Sequence, residues 1–222
     1  MRKLILTLAA IAAAAQPLAA QQHQHDPDNR VAGGGTLPAG WQAHLDRAEA
    51  NLADVKVIPM GQGMHVTTGP AVILWNPANN VASGDFTAHA TFSQGKAPMH
   101  PEAYGLFIAG SNLAGTAPEY MYFIVRGDGK YMVRHRAANG DLHTITDWTE
   151  NAAIHKQNEQ GQATNALAVE GGAWGVRFKV NGTQVAEWLT ANVPYLTTAG
   201  QVGLRVNHNL DVHVSDFGVD RK

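Results

Sequence analysis

His100 and Glu102 stand in the run His100-Pro101-Glu102-Ala103-Tyr104, the densest polar cluster of the chain. Glu102 and Tyr104 have the same parity, so in an extended segment their side chains project to one side. A bend at Pro101 would bring His100 toward them. A carboxylate beside an imidazole is an acid/base pair, whose use in catalysis requires hydrogen-bond reach to a substrate. His100 and Glu102 are therefore the catalytic candidates, with Tyr104 as a ligand contact. The same residues also fit a plain loop in which Glu102 caps backbone N–H groups and His100 is solvated.

A second group is Tyr120, Tyr122, Arg134 and Arg136. Tyrosine rings offer a flat surface to the C–H face of a sugar, and arginine offers a fork of donors to hydroxyls or carboxylates. The competing readings are a solvated face of stacked Arg and Tyr, or one covered by the N-terminal segment. Trp75 and Trp148 lie beside expected turns, and Trp148 is kept as a sugar platform against the alternative of a core tryptophan. Asp211 and His213 share one face of an extended run and, with His208, could ligate a metal or line a pocket. Metal ligation needs three or four convergent ligands, and only spacing is visible, so no metal is assigned and His213 is kept as a pocket residue. No dense acidic loop marks a calcium site. No Gly-x-Ser-x-Gly elbow or P-loop occurs, and the chain has no Cys for thiol chemistry, so no cofactor is expected.

These side chains must be held by strands. From Val55 onward, short runs rich in Val, Ile, Phe, Tyr and Trp alternate with Gly, Asn, Asp and Pro. Strands are expected at 55–58, 64–67, 71–75, 84–92, 104–109, 120–126, 130–136, 142–146, 165–169, 175–180, 183–188, 201–206 and 210–219. Residues 41–53 read as a short helix or an irregular lead-in. No long stretch has helical periodicity, and so many short strands require two stacked sheets or a barrel. Asn181-Gly182 between apolar runs suits a two-residue type I′ turn. Asn181-Gly182-Thr183 also matches a glycosylation sequon, weakly supported in a tight turn.

The hairpin at Arg126-Gly127-Asp128-Gly129-Lys130 decides a register. A two-residue loop would place Phe123 and Arg134 on one face. A three-residue loop with Gly129 left-handed sorts the faces. Tyr120, Tyr122, Arg134 and Arg136 then share one side, and Met121, Phe123, Val125, Tyr131 and Val133 share the other. Burial selects this second register, because a one-residue slip exchanges the faces. The Tyr/Arg face is expected to look outward.

The N-terminus carries an export pattern. Arg2 and Lys3 precede an apolar run over 4–15, and Gln16-Pro17 breaks it before Leu18-Ala19-Ala20. The run falls short of the roughly 20 apolar residues of a membrane span, and the small residues suit signal peptidase. Residues 1–20 therefore read as a signal peptide, 21–40 as a polar flexible linker holding Gly33-Gly34-Gly35, and 41–222 as one domain. Losing Arg2 and Lys3 leaves 14 basic against 18 acidic residues, a net charge of −4 with His neutral. An acidic chain without a basic run is a poor nucleic-acid binder, and no later segment is apolar enough to enter a membrane. Cleavage after Ala20 would also make His23 the third residue, whose amine, amide and imidazole nitrogens suit Cu(II) unless Gln21 cyclises.

The order of these segments is similar to a known pattern. The hairpin Tyr120 to Tyr131, then Asp147-Trp148-Thr149, Asn165-Ala166-Leu167-Ala168-Val169, Val176 to Gly182 and Gly200-Gln201-Val202-Gly203-Leu204 resemble the concanavalin A-like lectin/glucanase superfamily. That superfamily includes laminin-G-like modules and bacterial 3-keto-disaccharide hydrolases. The resemblance implies an all-β, two-sheet antiparallel jelly-roll sandwich whose relatives bind or cleave glycans on one sheet or its edge. The Glu-x-Asp-x-x-Glu strand of the superfamily's glucanases has no match, which argues against that chemistry. The expectation is a periplasmic or secreted protein that binds a saccharide on the Tyr/Arg face and the adjoining His100–Tyr104 edge. A hydrolase using His100 and Glu102, and a protein-interaction module, are the alternatives.

Overall fold

Alternation of buried and open side chains along the chain explains most of the architecture. In Phe86–Gln94, Phe86, Ala88, Ala90, Phe92 and Gln94 point inward while Thr87, His89, Thr91 and Ser93 point outward, as a strand with one buried face requires. The computed structural model describes residues 26–81 and 84–222. The signal segment, residues 21–25 of the linker and the His23 site lie outside them.

Fourteen strands are present among the described residues. In chain order, β1 is Gln42–Leu45, β2 Val55–Met60, β3 Gly63–Thr68, β4 Val72–Val81, β5 Phe86–Gln94, β6 Ala103–Ser111 and β7 Glu119–Arg126. They are followed by β8 Lys130–Arg136, β9 Leu142–Glu150, β10 Ala163–Gly172, β11 Gly175–Val180, β12 Thr183–Leu189, β13 Gly200–Val206 and β14 Asp211–Arg221. One antiparallel sheet has the order β1-β4-β13-β6-β7-β8-β9, and the other β12-β11-β10-β5-β14-β3-β2. The two pack face to face as a jelly-roll sandwich, as expected. Phe92 stacks on Tyr104 at 5.1 Å between ring centres, and Phe123 meets Phe178 at 5.6 Å. These contacts join the sheets across a core that also holds Val66, Leu106, Val169 and Val212.

The expected lead-in over 41–53 contains strand β1 and a single 3-10 turn at Leu52–Asp54. β1 pairs with β4, Gln42 opposite Trp75 and Leu45 opposite Val72. Four residues are too few to give a readable period, so the partner strand defines this element. β4 also runs beyond the expected end at Trp75. The Asn76-Pro77 pair falls where the β4–β13 register shifts between Gln201 and Gly203, an irregularity that tolerates the missing proline donor.

The hairpin between β7 and β8 has the three-residue loop. Arg126 pairs with Lys130, Phe123 with Val133 and Tyr122 with Arg134. Gly129 has φ +87°, a left-handed value that glycine adopts without steric cost, and its N–H donates to the Arg126 carbonyl at 3.0 Å. At Asn181-Gly182 both residues have positive φ, as the type I′ turn needs. The Asn181 amide is fully used there. It donates to Ala153 O at 2.8 Å and Asn165 Oδ1 at 2.9 Å, and accepts from the Ala166 N–H at 2.9 Å.

One expectation about this hairpin is corrected. Its faces sort as the sequence requires, but Tyr120 and Tyr122 do not look into solvent; they are 1% and 5% exposed. Ile73, Trp75, Phe107, Leu113, Ile124 and Met132 pack with them into a second apolar cluster. Cover comes in part from Leu113, in the connection between β6 and β7. This is why β6 and β7 read as continuous apolar runs: each is buried on both faces.

Candidate functional site

A polar network lies where β13 ends against the start of β6. Val206 pairs with Tyr104, and the Asn207 N–H donates to the Ala103 carbonyl at 2.9 Å. Asn209 then turns the chain with φ +54°, a conformation Asn tolerates better than most residues. The turn sets the side chains of Asn207 and His208 beside Glu102. Asn207 Nδ2 donates to Glu102 Oε2 at 3.1 Å, and His208 Nε2 lies 2.7 Å from Glu102 Oε1. The other ring nitrogen, Nδ1, is 3.3 Å from Asp28 Oδ1. An imidazole thus bridges two carboxylates.

The network continues in both directions. Asp28 also pairs with Arg47. Arg205 Nε donates to Asn207 Oδ1 at 3.2 Å, while its two terminal nitrogens grip both oxygens of Asp46. Arg205 Nη1 further reaches the Tyr120 hydroxyl at 3.3 Å, and its guanidinium lies over the Tyr122 ring at 5.4 Å. Asp28, Asp46, Arg47, Pro70, Ala71 and His208 line a cleft of about 180 Å³ at this edge. That is smaller than the roughly 300–1,000 Å³ of drug-sized sites and suits one ring of a larger ligand.

Electrostatics are set by these pairings. The Glu102 hydrogen bond, against burial and with help from the charges of Glu102 and Asp28, holds His208 above the usual histidine value. Burial opposes ionisation of Asp46, but the charge and hydrogen bonds of Arg205 prevail and keep its carboxyl below the usual range. Burial pushes the Tyr120 hydroxyl well up, so it stays protonated. With both ring nitrogens of His208 engaged by carboxylates, the imidazole orients Glu102 and Asp28, and the carboxylates, the Asn207 amide and the Arg47 guanidinium supply the acceptors and donors for hydroxyls.

The sequence candidates are distributed unevenly around this site. Glu102 is part of it, but its partner is His208; His100 is exposed in the loop before β6. Tyr104 faces the core. It is fully buried between the sheets, its hydroxyl accepts from Asn165 Nδ2 at 3.2 Å, and burial raises its pKa. Tyr120 and Tyr122 form the covered floor beneath Arg205. Arg134 and Arg136 lie on the same outer face, paired across the hairpin with Tyr122 and Tyr120. Trp148, at the β9 edge, is half-buried with the Arg126 guanidinium 4.1 Å over its ring. His213 is on the outer face of the other sheet, 6.3 Å from His65, whose Nε2 lies 2.9 Å from Asp211. It does not converge with Glu102, and His208 turns away from it to the network. Among the described residues no group of three or more His, Asp and Glu is arranged to hold a metal.

Asp28, Arg47, Asp46, Arg205 and Asn207 were not candidates from sequence. Arg205 had a signal, a charge inside the apolar run Val202-Gly203-Leu204-Arg205-Val206. Asp28 had none. The expected linker over 21–40 is, from Asp26 on, bonded to the sandwich. The Asn29 N–H donates to Asn209 Oδ1 at 2.8 Å, Asn209 Nδ2 donates to the Pro27 carbonyl at 3.0 Å, and Arg30 meets Asp54 at 2.8 Å.

No protein-family model and no curated protein matches the sequence. Solved structures do. Carbohydrate-binding module CBM66 from Bacillus subtilis is similar at TM-score 0.55 and 11% identity, over 86% of this chain and 99% of that one. A Bacillus subtilis protein of unknown function with a galectin-like fold aligns at 0.58 and 12%, over 82% and 89%. Alginate lyase A1-II', of polysaccharide lyase family 7, aligns at 0.53 and 9%, over 82% and 95%. At these identities the likeness is one of architecture, and this chain is a jelly-roll sandwich of the concanavalin A-like type.

Proposed function

We propose that this is an exported glycan-binding sandwich that holds a saccharide at the edge formed by Glu102, Asn207, His208, Asp28 and Arg47. One observation carries the reading: the His208 imidazole, bridged between Glu102 and Asp28, opens onto a cleft of one-ring size. Clustered carboxylates, an amide, an imidazolium and a guanidinium supply the donors and acceptors that sugar hydroxyls need. The fold is compatible with this use, since one structural neighbour is a carbohydrate-binding module and another a lyase of alginate. Export rests on the N-terminal pattern over 1–20; a periplasmic or secreted product beginning at Gln21 would be seen by mass spectrometry of the fractions.

The test is titration calorimetry of the mature protein against a panel of neutral and acidic oligosaccharides. Wild type should bind at least one, and Asn207→Ala and His208→Ala should each weaken it by about tenfold, the loss of one charged or paired hydrogen bond. Equal binding by both variants would remove the site. A second reading, hydrolysis of a glycoside, is favoured by the 2.7 Å contact between Glu102 and His208. In it His208, not His100, works with Glu102 as acid and base. Full turnover of a cleaved substrate by Glu102→Gln would dismiss that reading without touching the binding one.

A further inference from the structure

Among the described residues most other arginines end on carboxylates, Arg47 on Asp28, Arg126 on Asp128, Arg177 on Glu170 and Glu187, and Arg205 on Asp46, while Arg221 ends on two backbone carbonyls. Arg134 and Arg136 do neither. They lie two residues apart on one face of β8, and among the described residues neither has an ion-pair or hydrogen-bond partner for its guanidinium. Their Nε atoms are nevertheless buried. A buried donor without an acceptor is costly, more so when charged, so two neighbouring ones are unusual in a native fold. The carboxylates nearby in the network are committed elsewhere: Asp46 to Arg205, and Glu119 to His135 at 3.1 Å.

His44, on β1, is held below the usual histidine value by burial and then by the charge of Arg136. Arg136 also acts on Asp46, which lines the cleft beside His208. Arg136, opposite Tyr120 across the hairpin, thus lies beside the network through Asp46, and Arg134 is two residues along the same face. The paired terminal N–H groups of an arginine match the oxygens of a planar carboxylate or a sulfate.

We propose that Arg134 and Arg136 receive the anionic group, carboxylate or sulfate, of an acidic saccharide that enters from the His208 cleft. This rests on the glycan reading and adds a ligand class to it. Oligouronides of galacturonate, glucuronate and mannuronate would be titrated into the mature protein, each against its carboxyl-reduced counterpart. A chondroitin sulfate tetrasaccharide would be compared with its desulfated form, and oligoglutamate would serve as an acidic peptide.

At least one acidic saccharide should bind about tenfold or more tightly than its neutral counterpart, as expected of charge-assisted pairs, and the responding arm tells carboxylate from sulfate. Arg134→Gln with Arg136→Gln should abolish that preference. Arg134→Lys with Arg136→Lys should keep the fold and charge but lose most of the preference, because lysine lacks the fork; this pair carries the test if the Gln pair does not fold. Equal affinity for neutral and acidic forms, with Asn207→Ala and His208→Ala still weakening both, overturns the anion assignment and leaves the glycan reading standing. No binding to any saccharide overturns both. Tighter binding of oligoglutamate than of every saccharide also overturns the assignment.

Discussion

Replacing Asp46 by Asn removes the charge facing Arg205 while keeping the side chain's size. The Arg205 side chain is 7% exposed and that of Asp46 26%, so the variant strands the more buried partner. Removing one member of a buried pair costs about 3–5 kcal/mol because the other charge stays desolvated. Arg205 would keep the Asn207 Oδ1 and Tyr120 hydroxyl acceptors and a neutral amide oxygen, which puts the expected loss near the lower end, about 3 kcal/mol. Arg205→Met leaves Asp46 instead, which can turn to water, and should cost less, about 2 kcal/mol. The double variant Asp46→Leu with Arg205→Met should return to within about 1 kcal/mol of wild type.

Urea unfolding with constant m measures each value, and the Asp46→Asn loss corresponds to about 6–12 °C in Tm for a domain of this size. The sign with pH follows from the lowered pKa of Asp46. Its contribution is present above the unfolded carboxylate value of about 3.9 and is lost as pH falls through the folded value. The gap between wild type and Asp46→Asn should thus be flat from pH 5 to 7 and close in stronger acid. A loss under about 1 kcal/mol, or a larger loss for Arg205→Met, would refute the reasoning.

For His208 the linkage has the opposite sign. Its raised pKa contributes stability below the ordinary histidine value, about 6.5, that is lost as pH rises through the folded value. Glu102→Gln should therefore lose about 1.5–3 kcal/mol at pH 5.5 and less at alkaline pH, and proton NMR should show the His208 midpoint moving down; an unmoved midpoint contradicts the pairing. Tyr104→Phe should cost about 1 kcal/mol through the lost Asn165 bond and leave saccharide affinity unchanged, as calorimetry would register. Gly129→Ala imposes φ +87° on a residue with a Cβ, which also meets Lys156 Cε at 2.6 Å. About 1–2 kcal/mol of stability should be lost in urea.

Much of the sandwich was legible because one-sided burial writes a two-residue period, as in Phe86, Ala88, Ala90 and Phe92. The β7–β8 register could be read for the same reason, since a slip would have put Arg134 in the core with Phe123. What covers the outward side was not legible. Leu113, which packs there, comes from a loop with no period of its own. Glu102 announced itself as a polar residue before an apolar strand. Its partner His208 is 106 residues away and Asp28 lies 180 residues before His208, so only the folded chain brings them together. His100, adjacent in sequence, is exposed in the loop before β6.

The central claim, that saccharide is held beside His208, is tested most directly by histidine-ring NMR during titration with the tightest-binding oligosaccharide of the panel. His65 and His213, on the outer face of the opposite sheet, are internal controls. The account predicts saturable shifts of the His208 ring with those of His65 and His213 unmoved. Saturable shifts at His65 and His213 with a silent His208 would contradict it.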